Sequence, residues 1–198
     1  MPETIQLYRV LFAAPSDVTA ELSITRRLIE DWNVQHGQTA SRRLELTSWK
    51  THSFPAAGKR PQALINRQFA DRADILIAIF WRKFGSPTGK AASGTEEEIK
   101  RALKKRKPVM VYFSLRFHRE RSPSEQREKA RVEGFKRRFG QSALYGTYKN
   151  LTEFEKAVRK DLALVMGETA RAERAPARGG ARKGLTKSVY ETRGLTVL

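Results

Sequence analysis

The 198-residue chain contains no cysteine. That excludes disulfides, thiolate metal sites and a cysteine nucleophile. Its three histidines, His36, His52 and His118, stand nowhere at metal-ligand spacing, so neither a metal site nor a metal cofactor is expected. No apolar run approaches the roughly 20 residues that span a bilayer, so no membrane partner is expected. The opening MPETIQLYRV lacks the basic-then-apolar order of a secretory signal. With the missing cysteines this reads as a cytoplasmic protein. There is no Ser/His/Asp arrangement, no GxGxxG, no phosphate-binding P-loop and no internal repeat. Acid is also scarce: 21 Asp and Glu against 39 Lys and Arg leave a formal charge of +18. Such a balance speaks about partners and solubility, not fold.

What is present alternates between two periods. Leu7 to Ala13 is an apolar strand ending in Pro-Ser-Asp, where Ser16 or Asp17 is expected to cap the next helix. From Val18 to Trp32 the apolar residues Val18, Leu22, Leu28, Ile29 and Trp32 recur at helical spacing. RRLELTSWK reads as a second strand, and PQALINRQFADR as a helix opened by Pro61. ADILIAIFW and KPVMVYFS are short continuous apolar runs, the signature of strands buried on both faces. Between them SGTEEEIKRALKKRK is a helix with Ser93 as its cap. Ser122 and Glu125 form a capping box ahead of another helix. ALYGTYKN is a weaker strand, and Phe154, Val158, Leu162 and Val165 stripe a last amphipathic helix. Strand and helix alternate about five times. The expected fold is α/β, a five-stranded parallel flavodoxin-like sheet of order 2-1-3-4-5 with helices on both faces. Periodicity stops near Gly167. The domain is expected over 1–167, with 168–198 a basic, flexible tail.

In such sheets ligands bind beyond the carboxyl ends of the strands, near the reversal of strand order. That places AAPSD, SWKTHSF and FWRKFGSPTG at the site. Trp49 and Trp81 fall at strand ends, where an indole can stack on a nicotinamide or adenine. Gly85, Gly89 and Gly94 allow close backbone approach to phosphate, and Arg82, Lys83 and Lys90 attract it. Three acids, Glu96, Glu97 and Glu98, open the helix after Ser93. At 100° per residue Glu97 points to solvent, while Glu96 and Glu98 flank the apolar face of Ile99, Ala102 and Leu103. Acids in a first turn also offset the helix dipole. A flanking carboxylate looking into the cleft is suited to something else, attack on an electron-poor sugar carbon or stabilisation of it.

VLFAAPSDV, ADILIAIFWRKFGSPTGKAASGTEEEI and ALYGTYKNLTEFEKAV resemble a bacterial TIR-like domain family. That family is similar in fold to nucleoside 2-deoxyribosyltransferases and to NAD-cleaving TIR domains, and the resemblance covers about residues 5–165. Ser93 to Ile99 is similar to the transferase pattern Ser-Gly-Thr-x-x-Glu, which sets Ser93, Gly94 and Thr95 at the site and its nucleophile on Glu98. Ala13, Ala14, Pro15 and Ser16 resemble the nucleotide-facing first loop. The resemblance implies cleavage of the N-glycosidic bond of NAD or a related nucleotide, as substrate rather than prosthetic group. It also implies a role in defence or signalling, with self-association.

The alternative is a non-catalytic module that binds a nucleotide or a protein. In that reading KKRK (104–107), RFHRER, KRR (136–138) and ARGGARKG attract a nucleic acid or an acidic protein.

Overall fold

A computed structural model describes residues 4–48 and 70–174. Five strands, β1 (Gln6–Ala13), β2 (Arg42–Thr47), β3 (Ile75–Phe80), β4 (Val109–Ser114) and β5 (Gly146–Tyr148), pair in parallel in the order β2-β1-β3-β4-β5. This is the flavodoxin-like order. Strand order reverses between β1 and β3, whose register runs Val10↔Ile75 to Ala13↔Ala78.

The sheet is sandwiched because its central strands are apolar on both faces. Every residue of β3 is buried. One face, with Val10, Phe12, Ile75, Ile77, Ile79 and Tyr112, meets helices α1 (Thr19–Trp32) and α5 (Leu151–Arg174). The expected stripe of α5 is there: Phe154, Val158, Leu162 and Val165 are all buried. The other face, with Leu11, Leu76, Ala78, Phe80 and Phe113, meets α3 (Gly94–Lys104) and α4 (Pro123–Gly140). After α1 the chain widens into a π turn, Asn33–Gly37, then a single helical turn, α2 (Gln38–Ala40). Ser41 follows in the left-handed region, φ 50°, and leads into β2. The Asn33 amide closes this corner, donating to Leu44 O and accepting from Leu44 N.

Two expectations change. Helix α1 is not capped by Ser16 or Asp17. Val18 holds the cap position without a side-chain bond, and Asp17 is engaged elsewhere. The last helix does not end near Gly167 but runs to Arg174. A glycine inside a helix costs only about 1 kcal/mol, and later residues compensate. Thr169 is buried, and Glu173 bonds Gln6, Tyr8 and Arg42. The weak fifth strand is three residues long. Of the helix expected over PQALINRQFADR, residues 61–69 lie outside the described residues, as do Trp49 and 175–198 of the tail.

Candidate functional site

All five strands point the same way, so the loops after β1, β3, β4 and β5 gather along one edge. The loop after β3 is the longest of these, and it is pinned from three sides. Asp17, from the β1 loop, accepts from the backbone N–H of Arg82 at 2.9 Å and of Lys83 at 3.1 Å. Its side chain is only 1% exposed. Glu128 of α4 accepts from the N–H of Phe84 at 2.8 Å and of Gly85 at 3.2 Å. Burial raises the Glu128 pKa, but these two N–H groups and Arg131 outweigh it and hold the carboxyl below its ordinary value. Phe84 locks into a ring cluster with Phe80 and Phe135, at 5.4 Å from each. Gly85 turns the chain at φ 95°, a conformation that strains any L side chain.

The loop ends in the acidic helix start. Ser93, fully buried, accepts from Glu96 N and caps α3 as expected. Glu96 reaches back to Ala92 N at 2.9 Å and pairs with Lys100 at 2.9 Å. Glu97 does not point to solvent: it is buried and accepts from Thr88 Oγ1. The loop itself supplies part of the cover. Residues 88–92 fold back over the helix start, with Thr88 N bonded to Ala91 O, and roof the face that periodicity leaves open. Glu98 is 3% exposed. Two of the three acids therefore close the loop onto its helix, and the third is enclosed at the same place. Ala13, Ala14, Pro15 and Thr95 are buried, and Ser16 is exposed and accepts from Lys83 Nζ at 3.3 Å. Gly94 is the first residue of α3.

Trp81 is not brought to Glu98. Alternation along β3 sends it to the face of α1 and α5, where it packs against that core. Its indole Nε1 donates to Arg116 O at 3.2 Å. The guanidiniums of Arg116 and Arg82 lie 4.0 and 4.3 Å from its ring centroid. The ring expected to stack on a base carries two arginines instead.

Beneath Arg116 lies an acid that sequence reasoning missed. Glu21 of α1 is 0% exposed. Its Oε1 accepts from Arg116 Nη2 at 2.6 Å and from the Tyr148 hydroxyl at 2.7 Å. Burial, then the Glu21 carboxylate, push the Tyr148 pKa well above the usual tyrosine range. Arg116 Nε also bonds Ser114 Oγ at 3.2 Å. The network ties α1, β4 and β5 together at the edge where the loops gather. One signal was available: Glu21 stands two helical turns ahead of Leu28, on the buried face. Part of the basic excess is structural too. Arg101 and Lys105 pair with Asp71. Lys107 donates to the carbonyls of Ala70, Asp71 and Ala73. Among the described residues no cluster of three or more His, Cys, Asp or Glu is placed to hold a metal ion.

Residues 18–163 match the family described as a domain of unknown function, DUF4062. The chain belongs to the DUF4062 family. That match begins at the start of α1 and ends inside α5. No curated protein matches this DUF4062 chain. Among solved structures it is similar to a conserved protein from Enterococcus faecalis V583, at 13% identity and TM-score 0.44, covering 80% of this chain and 98% of that one. It is also similar to a homoserine dehydrogenase from S. aureus, at 13% identity and TM-score 0.34, covering 74% of this chain and 32% of that one. A flavodiiron protein from Giardia intestinalis follows at 7% identity and TM-score 0.38, covering 82% and 37%. Likenesses this distant carry no functional information.

Proposed function

We propose that this chain cleaves the N-glycosidic bond of NAD or a related nucleotide, with Glu98 as the reacting carboxylate. One observation carries the reading. Glu98 is an acid 3% exposed, at the start of the helix that follows β3, beside the reversal of strand order. Its neighbours Glu96 and Glu97 hold the loop shut. In the reaction the bond between the sugar anomeric carbon and the pyridinium nitrogen breaks. The nitrogen keeps the electron pair, so nicotinamide leaves neutral. Glu98 stabilises the oxocarbenium-like sugar or bonds to it. Water then adds a hydroxyl to the anomeric carbon and a proton is released. The resemblance to TIR-like domains supports a role in defence or signalling, in the cytoplasm, with self-association.

The test follows free nicotinamide by chromatography after incubation with NAD at high protein concentration. Release is expected from the wild type. Glu98→Gln, which keeps the buried volume, lowers it by about a hundredfold or more. Equal release from both proteins sinks the assignment.

A specific observation favours a second reading, a non-catalytic docking module. Phe117 is 91% exposed, in the loop after β4, with Arg119 and Arg121 close in sequence and also exposed. An aromatic among arginines suits an acidic protein or nucleic-acid partner. Salt-dependent binding that survives Glu98→Gln, without nicotinamide release, supports this alternative.

A further inference from the structure

The two arginines on Trp81 are part of a denser constellation. Arg82, Lys83, Arg116 and His118 come from the loops after β3 and β4. Arg82 Nη1 lies 3.3 and 3.4 Å from the two ring nitrogens of His118, and His118 packs edge-on to Trp81 at 6.0 Å. Lys83 Nζ reaches the β1 loop at Ser16 Oγ. Arg116 is held rigidly by Glu21, Ser114 and the indole. Arg82 is fixed through its backbone and its ring contact. Its Nε is nonetheless buried without a hydrogen-bond acceptor, Asp17 Oδ2 standing off at 3.9 Å. Four acids border the cluster. Glu120, in the same loop as His118 and paired with Lys129, bears on His118 electrostatically. Glu125 of α4 lies 3.5 Å from His118 at its outer rim, with a side chain 42% exposed. The other two, Asp17 and Glu21, are 1% and 0% exposed in their side chains. The arginine side chains keep more: 33% for Arg82 and 20% for Arg116. Two buried acids therefore lie against cations that stay partly exposed, at the edge where the loops gather. Two planar guanidiniums share one ring; Glu21 offsets the charge of Arg116, while Arg82 keeps a buried N–H without an acceptor, which an oxyanion with several acceptor lone pairs can satisfy.

We infer that Arg82, Arg116, Lys83 and His118 form a phosphate-binding site that takes the phosphate groups of a nucleotide. This deepens the reading of the preceding section, and rests on it in naming a phosphorylated nucleotide over a free nucleoside. The phosphate site itself needs no turnover.

The experiment is calorimetric titration of the whole chain with inorganic pyrophosphate at about 0.1 M salt, where long-range charge is largely screened. Saturable binding is expected. Arg82→Gln weakens it by about tenfold or more, the size of a lost charge-assisted hydrogen bond. Arg116→Lys keeps the charge opposite Glu21, and with it the fold, but loses the planar fork and also weakens binding. Lys160→Gln, on the exposed side of α5, leaves it unchanged. ADP displaces pyrophosphate and adenosine does not. The inference is overturned if no saturable binding is seen, if Lys160→Gln weakens it as much as Arg82→Gln, or if ADP fails to compete. The two readings fail separately. NAD cleavage without pyrophosphate binding sinks only the phosphate site. Pyrophosphate binding without cleavage, retained in Glu98→Gln, sinks only the chemistry at Glu98.

Discussion

Removing Arg116 should cost this protein far more than removing an arginine from its surface. Arg116→Ala deletes the cation bonded to Glu21, whose side chain has no exposure. Of the two Glu21 oxygens, Oε1 would keep the Tyr148 hydroxyl, while Oε2 is already buried without a hydrogen-bond partner. A buried carboxylate stripped of its counterion typically costs about 3–5 kcal/mol. An exposed ion pair is worth about 0–1 kcal/mol by comparison. For urea unfolding with a slope of about 2–3 kcal/mol/M, the Arg116→Ala midpoint falls by roughly 1–2.5 M. The double variant Glu21→Gln with Arg116→Ala removes the stranded charge and recovers part of that loss. Urea titration followed by circular dichroism reads all three proteins. A midpoint shift in Arg116→Ala no larger than that of an exposed pair, such as Arg159→Ala, would refute the reasoning. So would a double variant less stable than Arg116→Ala by the full cost of Glu21→Gln alone.

Two further outcomes are expected. The Arg101 guanidinium, bonded to both Asp71 oxygens at 2.8 and 2.9 Å, holds the Asp71 carboxyl at about 2 against an ordinary 3.8, despite some burial acting the other way. A depressed carboxylate stabilises the fold above its unfolded value and loses that contribution as pH falls from about 4 to 2. Asp71→Asn should therefore lower the melting temperature at pH 7, by the equivalent of about 1–2 kcal/mol after allowance for solvent screening. It should also flatten the pH dependence of stability in that acid window, and an unchanged profile counts against the ion pair. Ser93→Ala removes the cap of α3 and should cost about 1–2 kcal/mol in chemical denaturation. Loss of the 88–92 loop's protection from hydrogen exchange should accompany it, since Ser93 joins that loop to the helix.

The parts of this molecule that were readable from its chain are those written in local periodicity. ILIAIF cannot alternate its burial because it has no polar residue to expose, so β3 had to lie between two helical layers. Phe154, Val158, Leu162 and Val165 fall on one stripe whatever they pack against. What escaped was set by partners distant in sequence. Asp17 looks like a helix cap, yet it is claimed by N–H groups 65 and 66 residues away. Glu97 is outward by helical geometry, and the fold-back of Thr88 covers it. Arg116 and Tyr148 stand 95 and 127 residues from Glu21 along the chain. No local pattern distinguishes an acid with such a partner from one bathed in water. Trp81 was rightly set at a strand end, but strand alternation decided which face it serves.

The seven residues that α5 adds beyond Gly167 fix a direction of exit. At 1.5 Å per residue its 24 residues run about 36 Å, longer than any strand beneath it. Glu173 lands on Gln6, Tyr8 and Arg42, at the starts of β1 and β2. The chain is thus carried from the edge where the loops gather back to the opposite one. Arg174 therefore stands on the far side of the sheet from the loops that lead into the helix of Glu98 and carry the arginines.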